Sequence, residues 1–238
     1  MIDNERCLLR LEYREELIYY MNKYIFALLS LPNTIWCNYK LFPIKEAIKL
    51  PVFVAYNVHW KNVSRNQVEF LSAPNRFQVK IGNGGSEGIP RQKSMIRISD
   101  KGKLIFSGTA SLGEGICMRI DGGTIIFGDN FRSNKNAFLA CNTQMQFGTD
   151  VLLGWNVKIR DSDGHFVQEN NEIKPNEEPV FIGDHVWICS FVDILKNTFV
   201  GKNSVVAYRA CVSGKYDENS LIGGCPAKCI KHNINWIE

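Results

Sequence analysis

The fold is decided by residues 182–212, which read IGDHVWICSFVDILKNTFVGKNSVVAYRACV. Aliphatic residues recur there every six positions, at Ile182, Ile188, Ile194, Val200, Val206 and Val212. A second set with the same period has smaller side chains, at Val186, Val192, Thr198, Ser204 and Ala210. A helix repeats at about 3.6 residues and a half-buried strand at 2, so neither template fits. The period predicts a hexapeptide β-helix, in which each unit gives one short parallel strand and three units close a coil.

Small and polar residues follow the aliphatic positions. They are Gly183, Gly201 and Ala207, and then the pairs Asp184-His185 and Lys202-Asn203. Such residues suit backbone corners, including those that need a positive φ. The alternative is a sandwich of ordinary strands, but its turn signals recur only every 8 to 12 residues or so. The β-helix is therefore favoured.

The six-residue spacing also occurs in fragments nearer the N-terminus. They are Phe106, Leu112 and Met118, then Phe127, Ser133 and Leu139, then Phe147, Leu153 and Ile159. Extra residues between fragments predict bulges at 121–124 and 144–146 and a long loop at 160–181. We expect a mostly β chain with a helical arm at 1–50, a parallel β-helix at 51–224 and a short tail at 225–238. The repeats are clearest at 104–160 and 182–212.

The N-terminal arm has apolar residues at spacings of three and four. Asn4 is the expected helix cap, and Pro32 is expected to end the helix. Residues 41–60 are expected to be extended, with breaks at Pro43 and Pro51. The apolar part at 18–31 is too short to span a bilayer. Packing against the coil or a partner subunit is favoured over a helix lying on a membrane surface.

The composition excludes some classes of protein. The chain has 238 residues, is 45% hydrophobic and carries a net charge of +4. This charge, without a Lys/Arg cluster, does not indicate nucleic-acid binding, although small anionic ligands fit it. Eight cysteines without a CxxC pair, and an N-terminus unlike a signal peptide, predict reduced thiols and a cytoplasmic location.

The long interruption of the repeat contains RDSDGH at 160–165. Histidine changes charge near neutral pH, so His165 suits a general base, and Asp161 or Asp163 is a candidate to orient its ring. A solvated loop histidine is an equal alternative. The other histidines, His59, His185 and His232, lack metal-ligand spacing, so no metal is expected.

These motifs together resemble one family. The hexapeptide run, SDGH at 162–165, VWI at 186–188 and GGCPAKCIK at 223–231 resemble the left-handed β-helix O-acetyltransferases. The similarity is to enzymes of capsule and lipopolysaccharide gene clusters and to galactoside and maltose acetyltransferases, over residues 78–231. It implies a left-handed coil and a homotrimer with active sites between subunits. It also implies acetyl-CoA as donor and a sugar or polysaccharide hydroxyl as acceptor.

The resemblance assigns roles to individual residues. His165 matches the general base, and Ser190 matches the residue whose backbone N–H stabilises the oxyanion. The implied acceptor contacts are Asn134, Asn142 and Asp163, and the implied CoA contacts are Trp187, Ala207, Arg209, Lys228 and Lys231. Three departures stand out: Asn142 replaces an aspartate, Cys189 replaces a glycine, and Tyr208-Arg209 replace Gly-Ala.

Other functions stay open. An acetyltransferase for serine, an amino sugar or an antibiotic would share these motifs. A non-catalytic β-helix scaffold would not bind CoA. A zinc hydrolase of the carbonic anhydrase type needs three converging histidines, which the sequence does not provide.

Overall fold

The structure is a computed structural model, and it describes residues 23–86, 89–90, 92–99 and 101–237. The predicted cap Asn4 and the first half of the predicted arm lie outside these residues. The chain begins, within the described part, with helix α1 at 23–41 and the one-turn helix α2, Ile44–Ala47. Short strands then follow one another around three faces of a coil.

Each face of the coil is a ladder of parallel strands. The first face contains β1 (Val52–Val54), β4 (Val79–Ile81), β7 (Ala110–Leu112), β10 (Phe131–Ser133), β13 (Leu152–Leu153), β18 (Trp187–Ile188), β20 (Val205–Val206) and β22 (Leu221–Gly224). The second contains β2 (Val58–Lys61), β5 (Ser94–Ile98), β8 (Cys117–Ile120), β11 (Phe138–Cys141) and β14 (Lys158–Arg160). The third contains β3 (Val68–Phe70), β6 (Lys103–Phe106), β9 (Thr124–Phe127), β12 (Gln144–Phe147) and β17 (Val180–Ile182).

Three further strands complete the coil, and one pair of strands forms a hairpin in the long loop. β19 (Asp193–Val200) and β21 (Cys211–Tyr216) each bend from the second face to the third. The loop pair is β15 (Val167–Glu169) and β16 (Glu172–Lys174), and β23 (Ala227–Lys231) runs antiparallel to β22.

The register confirms the predicted coil. Trp187 pairs with Val205, and Ile194 pairs with Val212, 18 residues later in both cases. Eighteen residues are three six-residue units, one per face. Earlier coils contain extra residues, as the spacing predicts, but the second bulge lies at 142–143 rather than at 144–146, which belong to β12.

Both periodic sets point into one continuous core. The aliphatic set is at most 3% exposed, and the second set is at most 1% exposed. A row of rings also runs along the coil axis, with neighbouring centroids 5.2–5.7 Å apart, at Phe42, Phe70, Phe106, Phe127 and Phe147. Complete burial of each such side chain contributes about 1.5–3 kcal/mol relative to an exposed one.

The corners use glycine and asparagine for different purposes. Gly183 and Gly201 allow close approach between coils, because a Cβ there would lie 2.7 Å from Lys202 N and 2.3 Å from Glu218 N respectively. In each corner the residue two positions after the glycine has a positive φ angle, a conformation that asparagine tolerates. At the corner between the third and first faces these residues are Asn130, Asp150, His185, Asn203 and Asn219.

Helix α1 continues through Pro32, so the prediction that Pro32 ends the helix is wrong. Polar side chains on both sides of the proline hold the helix against the coil. Ser30 Oγ accepts a hydrogen bond from Tyr56 N–H, and Thr34 Oγ1 accepts one from Val54 N–H. These tertiary contacts offset the helix bond that proline cannot make. No helix in the described part of the chain is long and apolar enough to cross a membrane.

Two local elements differ from the predicted extended chain and long loop. Residues 44–47, within the predicted extended segment, form α2 directly after Pro43. The loop at 160–181 contains the β15–β16 hairpin, whose turn residues Asn170 and Asn171 have φ angles of 51° and 65°. Two successive positive φ angles are typical of a type I′ turn, which matches the twist of a two-residue hairpin.

Candidate active site

The corner between the first and second faces brings Ser190 close to the preceding coils. Ser190 is buried, and its Oγ accepts a hydrogen bond of 3.2 Å from Trp155 N–H. In the equivalent position two coils earlier, Lys135 N–H donates to Asn134 Oδ1 at 2.8 Å. The Ser190 N–H itself donates to no acceptor in the described part of the chain. A Cβ on Gly154 would lie 2.5 Å from Ser190 N, so this glycine keeps the space beside that nitrogen open.

The CoA candidates lie on the last coils of the first face and its corner. Trp187 is in β18, is 37% exposed, and pairs with Val205 of β20. Ala207 follows β20, and a Cβ on Gly223 of β22 would lie 3.2 Å from the Ala207 Cβ. Strand β23 then places two exposed cations along β22, with Lys228 opposite Gly223 and Lys231 opposite Leu221.

Arg209 lies at the same corner in an aromatic setting. Its Cζ is 5.4 Å from the ring centroid of Tyr208 and 5.8 Å from that of Phe191. The bulk of Tyr208 is directed to the surface, where it is half exposed. An open cavity of about 360 Å³ is lined by Asn156, Lys158, Phe191, Asp193 and Arg209. A guanidinium held over aromatic faces is pre-organised for a phosphate.

Cys189 occupies the position where the resemblance implies a glycine. Burial raises the pKa of the Cys189 thiol, and a hydrogen bond from the Tyr208 backbone opposes this effect. The side chain is partly exposed and stays a neutral thiol near pH 7. A neutral thiol is a poor nucleophile, so the geometry does not favour an acyl-cysteine intermediate.

His165 lies in the exposed loop before β15 and makes no hydrogen bond or ion pair with another described residue. Neither candidate carboxylate contacts it. Asp161 is completely buried and accepts hydrogen bonds from Asn142 N–H at 2.8 Å and Thr143 N–H at 2.7 Å. Asp163 lies 3.5 Å from Lys196 Nζ. The two aspartates therefore anchor the loop to the coil instead of orienting the imidazole.

The acceptor candidates divide between two corners. Asn142 and Asp163 both line a cavity of about 220 Å³ beside the loop, and Asn142 Nδ2 donates to Glu177 Oε1 at 2.8 Å. Asn134 lies at the other corner, where its Oδ1 accepts from Ser86 N–H and its Nδ2 donates to Ser86 Oγ, both at 2.8 Å. One chain therefore does not bring these three side chains together.

Comparison with known proteins shows to which family the chain belongs. Over 141 residues the chain is 33% identical to WbbJ of Escherichia coli K12, which is provisionally named as a lipopolysaccharide biosynthesis O-acetyltransferase. The match covers 52% of this chain and 72% of WbbJ. The chain belongs to the hexapeptide-repeat O-acetyltransferase family. No family model matches it.

Two further similarities support membership of this family. The chain is 32% identical over 114 residues to the galactoside O-acetyltransferase of Escherichia coli K12, covering 46% of this chain and 55% of that protein. The solved structure of the polySia-specific acetyltransferase NeuO superposes with a TM-score of 0.54 at 17% identity, covering 79% of this chain and 82% of NeuO. This second similarity shows the shared fold, and the left-handed β-helix predicted from sequence is confirmed.

As a member of this O-acetyltransferase family, the protein is an acyltransferase. In the described part of the chain, no three His, Cys, Asp or Glu side chains are grouped so that they could hold a metal ion.

One cluster in this O-acetyltransferase was missed from the sequence. His185 Nδ1 lies 2.5 Å from Asp150 Oδ2, and His185 Nε2 lies 3.1 Å from the Trp236 carbonyl oxygen. The Trp236 ring stacks on the imidazole with centroids 4.3 Å apart, and its Nε1–H donates to the His185 carbonyl oxygen. The hydrogen bond to Asp150 raises the pKa of His185. One feature of the sequence could have revealed this cluster: His185 occupies a corner position that asparagine occupies in other coils.

Proposed function

We propose that this O-acetyltransferase transfers the acetyl group of acetyl-CoA to a hydroxyl of a sugar or of a polysaccharide intermediate. The proposal depends above all on the Ser190 N–H, which has no acceptor in the described chain and lies beside the space kept open by Gly154. An N–H held in a rigid corner is suited to a developing oxyanion, because it needs no reorganisation when charge appears.

The surface that leads to this N–H suits the donor. Trp187 and Ala207 line the course of the pantetheine arm in this proposal, and Arg209, Lys228 and Lys231 meet the phosphates. Cationic side chains form charge-assisted hydrogen bonds to phosphate oxygens, which are stronger than neutral ones. The relatives are named as O-acetyltransferases of lipopolysaccharide and galactosides, which supports a sugar hydroxyl as the acceptor class.

In the proposed mechanism His165 accepts the proton of the sugar hydroxyl while that oxygen attacks the thioester carbon. Ser190 N–H donates a hydrogen bond to the tetrahedral oxyanion. The carbon–sulfur bond then breaks, and the imidazolium of His165 returns the proton to the leaving thiolate. The products are an acetyl ester and CoA, so one histidine serves as base and then as acid. No covalent enzyme intermediate is needed.

We further propose that the enzyme is a homotrimer and that each site is shared between two copies. In one chain the Ser190 corner and the His165 loop lie at opposite edges of the second face. Its strands of three to five residues imply a separation on the order of 10–15 Å. The loop also exposes three apolar side chains, Phe166, Val167 and Ile173, of which Phe166 is 72% exposed. Contact with a neighbouring copy would bury them and bring His165 to that copy's Ser190 corner.

The decisive experiment is subunit mixing. His165→Ala removes the proposed base, and Ala207→Trp blocks the proposed donor surface, so each variant alone should be inactive. Co-expression of the two in equal amounts should restore about a quarter of the wild-type activity, because a quarter of the shared sites then combine an intact loop with an intact corner. No recovery in a confirmed mixed trimer would contradict the shared site.

Calorimetric titration with acetyl-CoA tests the donor separately. About one binding site per chain is expected from three equivalent sites in a trimer. Absence of binding by the well-folded protein would favour the scaffold alternative. An acceptor screen that compares hydroxyl with amine substrates distinguishes a sugar O-acetyltransferase from an N-acetyltransferase of amino sugars.

A further inference from the structure

Helix α1 packs on the coil largely through polar side chains, together with Cys37 and Leu41 near its C-terminal end. The side chains of Ser30, Thr34 and Asn38 are buried beneath it at a spacing of four residues. Amphipathic helices of water-soluble domains normally bury the apolar side instead. Hydrogen bonding therefore helps to set the orientation of this helix, and Leu28, Leu29 and Leu31 stay exposed.

The reason lies in strand β1, the first strand of the first face. An edge strand leaves backbone N–H and C=O groups without a sheet partner. Asn38 Nδ2 donates to the Val52 carbonyl at 2.6 Å, and Asn38 Oδ1 accepts from Val52 N–H at 3.1 Å. Thr34 makes the same reciprocal pair with the backbone of Val54, with both bonds 3.0 Å long. The helix thus caps the open end of the coil.

This arrangement leaves an apolar surface facing outward. The surface, called here the cap surface, consists of Tyr24, Ile25, Leu28, Leu29, Leu31, Ile35, Trp36, Tyr39, Ile44 and Ile48, all exposed. Leu28 is 67% exposed, and the aromatic residues Tyr24, Trp36 and Tyr39 are spread along the helix. The hydrogen bonds to β1 prevent the helix from rotating to bury these side chains.

The charged residues of the segment that carries the cap surface, residues 23–50, are almost all positive. Residues 23–50 contain four exposed lysines, Lys23, Lys40, Lys45 and Lys49, and a single acidic residue, Glu46. A second copy of this surface would bring lysine against lysine, which disfavours self-association. The surface is a convex helix bordered by lysines, and this shape and charge suit a flat anionic partner.

We propose that the cap surface binds the headgroup region of an anionic lipid bilayer. The leucines and isoleucines would enter the boundary between headgroups and acyl chains, as in helices that lie in the plane of a membrane. Trp36 and the tyrosines match the preference of amphipathic rings for that boundary. The four lysines would meet lipid phosphates. The open end of the coil then faces the membrane, and the proposed catalytic corner lies farther along the coil.

Co-sedimentation of the full chain with vesicles tests this inference. One set of vesicles contains phosphatidylcholine alone, and the other mixes phosphatidylcholine with phosphatidylglycerol. The protein should sediment with the anionic vesicles and be released by added salt. Leu28→Glu should weaken binding by about tenfold or more, because it places a charge in the apolar layer. Joint neutralisation by Lys40→Gln, Lys45→Gln and Lys49→Gln should weaken it by about a hundredfold at low salt.

Ile237→Glu is the matched control, since Ile237 is also exposed but follows the last strands, at the far end of the coil from β1. It should bind vesicles like the wild type. Helical content and thermal unfolding of Leu28→Glu show whether that variant folds, and the lysine variant leaves the apolar face intact. Equal sedimentation of all variants, or no binding to anionic vesicles, would overturn the proposal. So would a fall in oligomer mass with Leu28→Glu and no vesicle binding, which would indicate a second copy on this surface.

Discussion

His165 and His185 lie 20 residues apart in the chain, in regions with opposite character. His185 sits in a rigid corner between Asp150 and the Trp236 carbonyl, and both of its ring nitrogens face acceptors. Both bonds form only when both nitrogens carry hydrogen, which favours the imidazolium. His165 lies in an exposed loop, where no described residue provides such a partner. A histidine held as imidazolium is a poor base, so the comparison favours the loop histidine for chemistry and the corner histidine for structure.

The largest expected effect concerns the loop. His165→Ala should lower the turnover of acetyl transfer by about 10² to 10⁴, the usual contribution of a positioned base. The free energy of unfolding should hardly change, because His165 has no partner in the described chain to lose. Steady-state kinetics and urea unfolding measure the two quantities. His59→Ala, at an exposed histidine of β2, is the control, and equal activity of the two variants would remove His165 from the mechanism.

The next effect concerns the anchor of the loop. Asp161→Ala removes a buried carboxylate and leaves the N–H groups of Asn142 and Thr143 without acceptors. Each unsatisfied buried donor costs about 1–3 kcal/mol, so the free energy of unfolding should fall by about 2–6 kcal/mol. Chemical denaturation provides the measurement. Asp163→Ala is the matched control, because Asp163 is exposed, and a similar loss in both variants would mean that burial of Asp161 has no special role.

The smallest effect concerns the corner and depends on pH. The folded pKa of His185 is raised, so its contribution to stability is fully present below the unfolded value near 6.5. That contribution is lost as pH rises through the higher folded value. The loss in free energy of unfolding should be about 1 kcal/mol or less, because the His185–Asp150 pair is partly open to solvent.

His185→Asn tests this pH dependence. Asparagine tolerates the positive φ of 53° at this position, so the corner should keep its conformation. Relative to the variant, the wild type should gain stability as pH falls from 8 to about 6. Thermal unfolding at several pH values provides the measurement. If the melting temperatures of wild type and variant change in parallel over that range, His185 does not titrate in this corner.

Much of the fold follows from local pattern. The six-residue period decides which side chains enter the core, and all eleven positions of residues 182–212 in the two periodic sets are buried. The loop was also located, since an interruption of a strict repeat is visible without coordinates. The β15–β16 hairpin was missed because the Asn170-Asn171 turn lies between two strands with exposed side chains, where no apolar alternation indicates a sheet.

The sequence reading failed where distant segments meet. Pro32 is a helix breaker by local rules, but hydrogen bonds of Thr34 with Val54 of β1, 20 residues later, carry the helix past it. The same contacts change which side chains of α1 are buried, because they place Thr34 and Asn38 inside and leave most of its leucines exposed. Asp161 reads as a partner of His165 from its spacing alone, although its carboxylate is bound by the backbone of the neighbouring corner.

The sequence by itself determined a coil of six-residue units, its interrupted loop and its resemblance to O-acetyltransferases, because periodicity and short motifs are properties of neighbouring residues. Only the tertiary structure decided which side chains have partners. It left the Ser190 N–H without an acceptor among the described residues, enclosed His185 between two acceptors and turned most apolar side chains of α1 outward. These outcomes depend on hydrogen bonds between residues far apart in the chain, and no local pattern encodes them.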